Sequence, residues 1–329
     1  MADITTPLTV RDIKGLARDG KDTFHSVLLI KRLTARVAKN DNPYLSVELG
    51  DKTGSFTLTC FSDNPAFDLC KSAGEGGVLR VEGKVDYYQN KLSPKLLRAE
   101  AVSPDQLAGS PLIANLVETA PEDADLLWLE LQEHVAFVQH AELRATVQAV
   151  FEEIGEPFRA APAAVAMHHA YRHGLLEHTV HVARACRAVL PLYPEVDADL
   201  AMAGVLLHDT GKVIEYHGDL ATARSRKGIL QGHVVLGYQL ARKAGLKAKL
   251  NPDLLERLEH IILSHQGELE WGAAVIAATP EAVFVAQLDN LDAKMGMVQR
   301  LLRQAGEADE FSEKHFGLNA ALLLTKPQK

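Results

Sequence analysis

The feature that most constrains this chain is a change in hydrophobic period partway along it. Up to about residue 103, apolar residues recur at every second position, the spacing of strands that bury one face. Beyond about residue 120 they recur at the spacing of helices that bury one stripe. One layer of structure cannot serve both periods, so the pattern predicts a β domain followed by an α domain. A length of 329 residues suits roughly two domains.

In the first part, residues 23–38 form a long β-branched stretch and Tyr44–Leu49 alternates cleanly. Asp51-Lys52-Thr53-Gly54 is a turn, and Ser55–Phe61 returns as the second arm of a hairpin. A short helix over Asn64–Lys71 precedes Gly74, Gly76 and Gly77. Val78–Val85 and Leu92–Val102 complete the set, with a tight link around Gln89-Asn90. Five strands with a short helix after the third is the order of an OB barrel. From Ser103 to Ala120 the composition shifts to Pro, Ser and Gly, as in a linker. Helices are then expected over Glu122–Gln139, Ala141–Ile154, Leu175–Leu190, Ala198–Leu207, Gly232–Ala244, Pro252–Ser264 and Pro280–Gln304. The division is an all-β OB-like domain over 1–105, a linker over 106–121, an all-α domain over 122–305 and a weakly patterned tail over 306–329.

No apolar run approaches the ~20 residues of a membrane span, and the N-terminus lacks the pattern of a signal peptide. The three cysteines, Cys60, Cys70 and Cys186, have no CxxC spacing. That argues against a disulfide framework or thiolate zinc site and for a reducing cytoplasm. The net charge of −8 argues against coating nucleic acid by charge alone, yet residues 21–100 hold 12 Lys/Arg against 10 Asp/Glu. The first domain is therefore compatible with a polyanion and the rest is acidic.

Of 14 histidines, 10 lie between His168 and His265, a crowding that suits metal ligation or acid–base work. His178, the doublet His208-Asp209 and Asp289 each fall in or at the end of an apolar helical segment. An uncompensated polar group there costs on the order of several kcal/mol, which binding a cation recovers. Mixed N/O ligation suits Mn, Fe, Co, Ni, Zn or Mg rather than a soft metal.

The pattern H…HD…D resembles that of the HD superfamily of metal-dependent phosphohydrolases. The longer segments resemble the YhaM-type 3′–5′ exoribonucleases, which join an OB fold to an HD domain. The resemblance spans residues ~20–300. It rests on His168-His169-Ala170-Tyr171, Gly174-Leu175-Leu176-Glu177-His178-Thr179, His208-Asp209-Thr210-Gly211-Lys212-Val213, Gly228-Ile229-Leu230-Gln231-Gly232-His233, Leu263-Ser264-His265-Gln266-Gly267, and Pro280-Glu281-Ala282 leading to Leu288-Asp289-Asn290-Leu291-Asp292-Ala293-Lys294-Met295. It implies metal ligation by His178, His208, Asp209 and Asp289. His233 and His265 match positions that complete a second site where two metals bind. The chain departs from the pattern at Gln266, often a second histidine, and at His173, usually a second glycine.

Around that set, Lys212 either meets a phosphate as a point charge or favours the end of the preceding helix. His260 lies five residues before His265, roughly 500° round a helix, so it is read as structural or supporting. Of the adjacent His168 and His169, at most one lines the cleft. His181 and His217 carry no comparable argument. The Ala223–Gly228 loop, with Arg224 and Arg226, is either a solvated turn or a strand contact. In the β domain, Phe24, Tyr44, Phe56, Phe61, Tyr87 and Tyr88 accompany Lys31, Arg32, Arg36, Lys84, Lys91 and Lys95. Half or more of these rings belong to the core. Tyr44, after Asn42-Pro43, and the Tyr87-Tyr88 pair are the candidates for exposed stacking rings, with Lys84 nearby.

These readings converge on an exonuclease that uses one or two divalent ions per chain, Mn foremost. Its substrate would be single-stranded RNA, with DNA as an alternative, cut from the 3′ end to nucleoside monophosphates. Asp209 and Lys212 are the expected catalytic pair, no membrane is involved, and a homo-oligomer is compatible. Two rivals remain, a hydrolase of small nucleotides and a nucleic-acid-binding regulator with a degenerate HD site.

Overall fold

The computed structural model describes residues 7–16, 22–38, 41–88, 91–107, 110, 112–164, 169–218, 220, 222–306 and 309–327. They fall into two compact units, Met1–Glu118 with Gly218–Thr222, and Thr119–His217 with Ala223–Lys329.

The first unit opens with α1 (Val10–Gly15), which the periodicity did not reveal. The Thr9 side chain accepts from the Asp12 N–H while the Asp12 carboxylate accepts from the Thr9 N–H at 2.9 Å. This reciprocal cap supplies partners that a six-residue helix lacks, and the Thr-x-x-Asp spacing was its one sequence signal. The strands are β1 (Thr23–Val37), β2 (Pro43–Asp51) and β3 (Gly54–Phe61), then α2 (Phe67–Ala73), then β4 (Val78–Lys84). A small pair, β5 (Tyr87–Tyr88) and β6 (Lys91–Leu92), precedes β7 (Lys95–Val102). The expected strand from Leu92 is broken at Pro94, which has no N–H to give to a ladder. The expected link at Gln89-Asn90 lies outside the described residues. The five long strands form an antiparallel sheet in the order β3-β2-β1-β4-β7, and with α2 after the third this is the OB-like module.

β1 organises the sheet. Its first half pairs with β4 and its second half with β2, and the register shifts between Ile30 and Arg32. Lys31 occupies that bulge, donating to the carbonyls of Asp51 at 2.8 Å and Gly54 at 3.3 Å. The run Val27-Leu28-Leu29-Ile30 does not alternate because both faces are covered. Leu28 and Ile30 join Phe24, Val47, Leu49, Leu58 and Leu79, while Val27 and Leu29 pack with Val78, Val102, Leu107 and Leu116. The last two residues come from α3 (Pro104–Leu107) and α4 (Ile113–Leu116), inside the segment expected to be a linker. Its composition is linker-like, but Leu107 and Leu116 are buried with β1 residues, so it packs as part of this unit.

The second unit is helical: α5 (Ala124–Phe137), α6 (Ala141–Ala160), α7 (Gly174–Val189), α8 (Ala198–Leu207) and α9 (Lys212–Glu215). A two-residue pair, β8 (Tyr216–His217) and β9 (Ala223–Arg224), leads to α10 (Arg226–Lys247), α11 (Pro252–Ser264) and α12 (Pro280–Gln304). α6 runs past the expected stop at Ile154 and through Pro157, because Phe158 is fully buried and stacks edge-on to Phe151 at 5.0 Å. α10 begins earlier than the expected Gly232, with Ser225 as its cap. It breaks at Gly232 (φ 70°, ψ 158°), so the expected helix is its second part. The tail turns back on itself, Phe311 bridging Leu323 and His315 bridging Ala320. Among the described residues no helix is long and apolar enough to cross a membrane.

α8 is the axis of this unit. Every residue from Leu200 to Leu207 is buried, as in a helix that is apolar all round. Just beyond its end, Gly211 lies against α10, where a Cβ would stand 2.0 Å from the His233 carbonyl oxygen and 2.5 Å from the Gly237 nitrogen. Gly211→Ala should therefore destabilise the protein by about 2 kcal/mol or more. Gly15→Ala, whose Cβ meets nothing within 4 Å, is the control and should leave thermal unfolding nearly unchanged. Equal midpoints for the two variants would show that this approach is not tight.

Candidate metal centre

Five side chains from five segments meet around one carboxylate. Asp209 follows the end of α8 and is buried, as are His208, His178 of α7 and His265 at the end of α11. Asp289 comes from α12 and His233 from α10. The two oxygens of Asp209 face two different groups. Oδ2 lies 3.5 Å from His178 Nε2 and 3.4 Å from His208 Nε2. Asp289 Oδ1 completes this side, 3.1 Å from His178 Nε2 and 3.8 Å from His208 Nε2. Oδ1 lies 3.5 Å from the Nε2 atoms of both His233 and His265.

Each imidazole is turned so that Nε2 points inward, because its Nδ1 is engaged elsewhere. His208 Nδ1 donates to the Val205 carbonyl and His265 Nδ1 to the Ile262 carbonyl, each at 2.7 Å. His233 Nδ1 meets Glu215 at 2.6 Å and His178 Nδ1 meets Asp292 at 2.7 Å. Carboxylates or carbonyls behind histidines are the usual way to fix tautomer and direction for metal ligation.

Asp292 gathers more than one ring. Its carboxylate also meets His169 Nε2 at 3.0 Å and His181 Nδ1 at 3.3 Å. Behind these, Glu177 bonds His169 and Tyr171, and Glu122 bonds His181 at 2.6 Å. His169 is thus the supporting member of the expected pair, and His168 lies outside the described residues. Neither His181 nor Asp292 is marked as functional by the sequence pattern alone. The missed signal was spacing: His181 and Asp292 each lie three residues after a candidate ligand on the same helix face. Glu215 was missed because only the folding of α9 against α10 brings it to His233. His260 accepts from the Ala278 N–H at 2.8 Å and is structural. His217 is exposed at the end of β8.

The charges are matched, not free. Lys212 is buried and its Nζ lies 2.5 Å from Asp209 Oδ2. It neither faces solvent nor simply ends a helix; it neutralises Asp209. Burial opposes ionisation of Asp209, but Lys212 and His208 hold its carboxyl well below the usual range. Burial likewise opposes a charge on His178, yet Asp289 and Asp292 push its pKa up to about 10. His265 goes the other way, burial dominating and keeping its pKa low, so its Nε2 offers a lone pair.

The donor set fits a divalent cation. Asp209 Oδ1 is buried yet has no hydrogen-bond partner among the described residues, and imidazole nitrogens face it. An unsatisfied buried acceptor costs about 1–3 kcal/mol, and more for a charged one, which a cation between these atoms removes. His178, His208 and Asp209 form one group of potential ligands within 4.8 Å of one another, and Asp209, His233 and His265 form another.

The candidate strand contacts are more scattered. Tyr44 is half-buried on β2, opposite Phe61 on β3, their ring centroids 5.6 Å apart. Phe61 is the more open ring, 46% exposed. Tyr87, half-buried like Tyr44, packs against the core of the first unit. The side chains of Tyr88 and Lys91 lie outside what is described, Lys84 is exposed, and Phe24 and Phe56 are core. Arg226 is exposed at the start of α10, and Arg224 is exposed but pairs with Glu215 at 3.3 Å.

Comparison with known proteins places the chain among relatives of similar length. A family model described as HD domain matches residues 175–294. A protein named 3′-5′ exoribonuclease YhaM from Listeria innocua is 30% identical over 299 residues, 91% of this chain and 93% of its own length. A protein of the same name from Geobacillus is 30% identical over 291 residues, 88% of each chain.

The outermost layer of the network yields a pH dependence. Arg184 binds both oxygens of Glu122, at 2.9 and 2.8 Å, and also grips Glu130. Those bonds, reinforced by His181, lower the Glu122 pKa from 4.5 to about 2. A depressed carboxylate stabilises the fold above its unfolded value and loses that contribution as pH falls through the folded one. Solvent screening keeps the effect modest, since Glu122 is 40% exposed. Between pH 4.5 and 2, the thermal midpoint of Glu122→Gln should therefore fall less steeply than that of the wild type. Parallel curves would remove Glu122 from the acid response.

Proposed function

Since the chain belongs to the YhaM family of 3′–5′ exoribonucleases, we propose that it is a divalent-metal-dependent nuclease that removes nucleoside monophosphates from the 3′ end of single-stranded RNA. The observation that carries this reading is the buried Asp209 carboxylate, with one oxygen toward His178, His208 and Asp289 and the other toward His233 and His265. A carboxylate placed between two sets of inward-facing imidazoles suits a phosphodiester better than a carbonyl substrate, because two cations can flank one phosphate. When bound, such cations polarise phosphoryl oxygens and acidify water.

The chain's own residues do the rest. His178, His208, Asp209 and Asp289 would hold one cation, and His233, His265 and Asp209 a second. Lys212 offsets the carboxylate charge, so the centre does not repel an incoming phosphate as strongly as two bare carboxylates would. Asp292 and Glu215 keep His178 and His233 turned inward, so the ligands need not reorganise when the substrate arrives. Mn is the ion proposed for a mixed imidazole–carboxylate set. The OB-like module would bind bases on Tyr44 and Phe61 and backbone phosphates through Lys84 and Lys95. DNA, and a cytoplasmic setting for the work, are part of the same proposal.

The decisive assay is incubation of a 5′-labelled oligoribonucleotide with the protein and Mn²⁺, with and without a chelator. A ladder shortening from the 3′ end, abolished by chelation, is expected. An intact oligonucleotide alongside hydrolysed mononucleotides would favour a small-nucleotide hydrolase. Asp209→Asn, nearly isosteric and still able to accept from Lys212, should bring turnover to background and strip bound Mn²⁺ measured by atomic emission. Full activity with unchanged metal content would overturn the assignment of Asp209. For the OB-like module, the double variant Tyr44→Ala, Phe61→Ala should raise KM on a long oligoribonucleotide roughly tenfold, as loss of base stacking predicts. Hydrolysis of bis-p-nitrophenyl phosphate, which carries no strand of bases to stack, should be unaffected. An unchanged KM on the long strand would take RNA binding away from this face.

A further inference from the structure

The two sides of Asp209 are not equivalent. The Oδ2 side has two carboxylates, Asp209 and Asp289, whereas the Oδ1 side has only the shared Asp209 with His233 and His265. Gln266, next to His265, fills the remaining position. Its amide nitrogen lies 2.9 Å from His265 Nε2 and 3.3 Å from His233 Nε2. The Nδ1 atoms of both rings are already engaged, with the Ile262 carbonyl and with Glu215, so each Nε2 presents a lone pair inward. An amide NH₂ has two hydrogens to give, one to each ring. The amide oxygen in that place would face two lone pairs, which fixes which end of Gln266 points in.

We propose that Gln266 is a competitor for the second cation, holding the lone pairs of His233 and His265 so that this chain binds one divalent ion tightly and the other weakly. The inference rests on the reading of the Asp209 centre as a divalent-metal site. A cation entering the Oδ1 side must break both amide hydrogen bonds before it meets either nitrogen, and it gains one shared carboxylate where the other side supplies two. Lys212 offsets part of the carboxylate charge on the Oδ2 side, so the two amide hydrogen bonds and the missing carboxylate ligand, rather than net charge, set the two sides apart. Gln266 is half-buried and sits just beyond α11, where Gly267 adopts φ +81°, so the side chain can leave without moving a helix.

Equilibrium dialysis of the full-length protein against Mn²⁺, with bound metal counted by atomic emission, tests this without an activity readout. The wild type should bind one ion tightly and a second at least about tenfold more weakly, the factor expected from about one net hydrogen bond lost on entry. Gln266→Ala removes the competing donors and should tighten the second ion while leaving the first unchanged. Gln266→Glu replaces those donors with the missing carboxylate and should tighten it further. Its metal-free form should also unfold at a lower temperature, which Mn²⁺ restores. His265→Ala should delete the weak ion alone. Two equally tight ions in the wild type, or a second ion unchanged or weakened by Gln266→Ala, would overturn the proposal and leave the metal centre intact. A wild-type protein that binds no Mn²⁺ would instead remove the metal-centre reading beneath it.

Discussion

Everything in the helical unit is arranged around the burial of one carboxylate. Asp209 has almost no contact with water, and a charge in that position is tolerable only if counter-charges come to it. Lys212 supplies one from the next turn, and His178 another from across the unit. Even so, among the described residues one of its oxygens is left without a hydrogen bond, facing two imidazole nitrogens. An acceptor buried in this way is compatible with a divalent cation. The low local dielectric that makes the orphan oxygen costly is the same property that makes a cation between these ligands bind.

The second requirement is direction. A histidine is a useful ligand only if the correct nitrogen points inward, and four rings here are aimed by what lies behind them. Two use backbone carbonyls one helical turn back, which any helix end can offer. The other two use carboxylates, Asp292 and Glu215, which also add negative charge near the centre. Asp292 serves three histidines at once, and the surrounding Glu177, Tyr171, Glu122 and Arg184 keep it in place. That arrangement on the side of His178 contrasts with the Oδ1 side, where a neutral glutamine stands among the candidate ligands.

In the first unit the controlling element is β1. A strand of 15 residues cannot stay flat and pair with one partner throughout. The bulge at Lys31 lets it turn, so that β4 takes its first half and β2 its second. Covering both faces of Val27–Ile30 then requires α3 and α4, which is why a segment with linker composition is ordered against the sheet. The outer pair Tyr44 and Phe61 sits on the β2–β3 side, away from those buried faces, where an exposed ring is not needed for the core.

The sequence by itself determined the division into a β part and an α part, most helix limits, and the metal-ligand candidates. These are local properties: period, capping residues, and polar groups embedded in apolar helices. Ala198–Leu207, Pro252–Ser264 and Pro280–Gln304 were readable to the residue because Asp197, Pro252 and Pro280 mark their starts. Only the tertiary structure decided which polar groups meet. It brought Asp292 behind His178, Glu215 behind His233 and Gln266 between two imidazoles, and it buried Lys212 against Asp209. It also carried α6 through Pro157 and docked the apparent linker, in both cases because buried Phe158, Leu107 and Leu116 outweigh local preference. The reason is physical: spacing along a chain specifies which face of a helix a residue occupies. Which other face it meets depends on how distant segments share one core, and no local pattern records that.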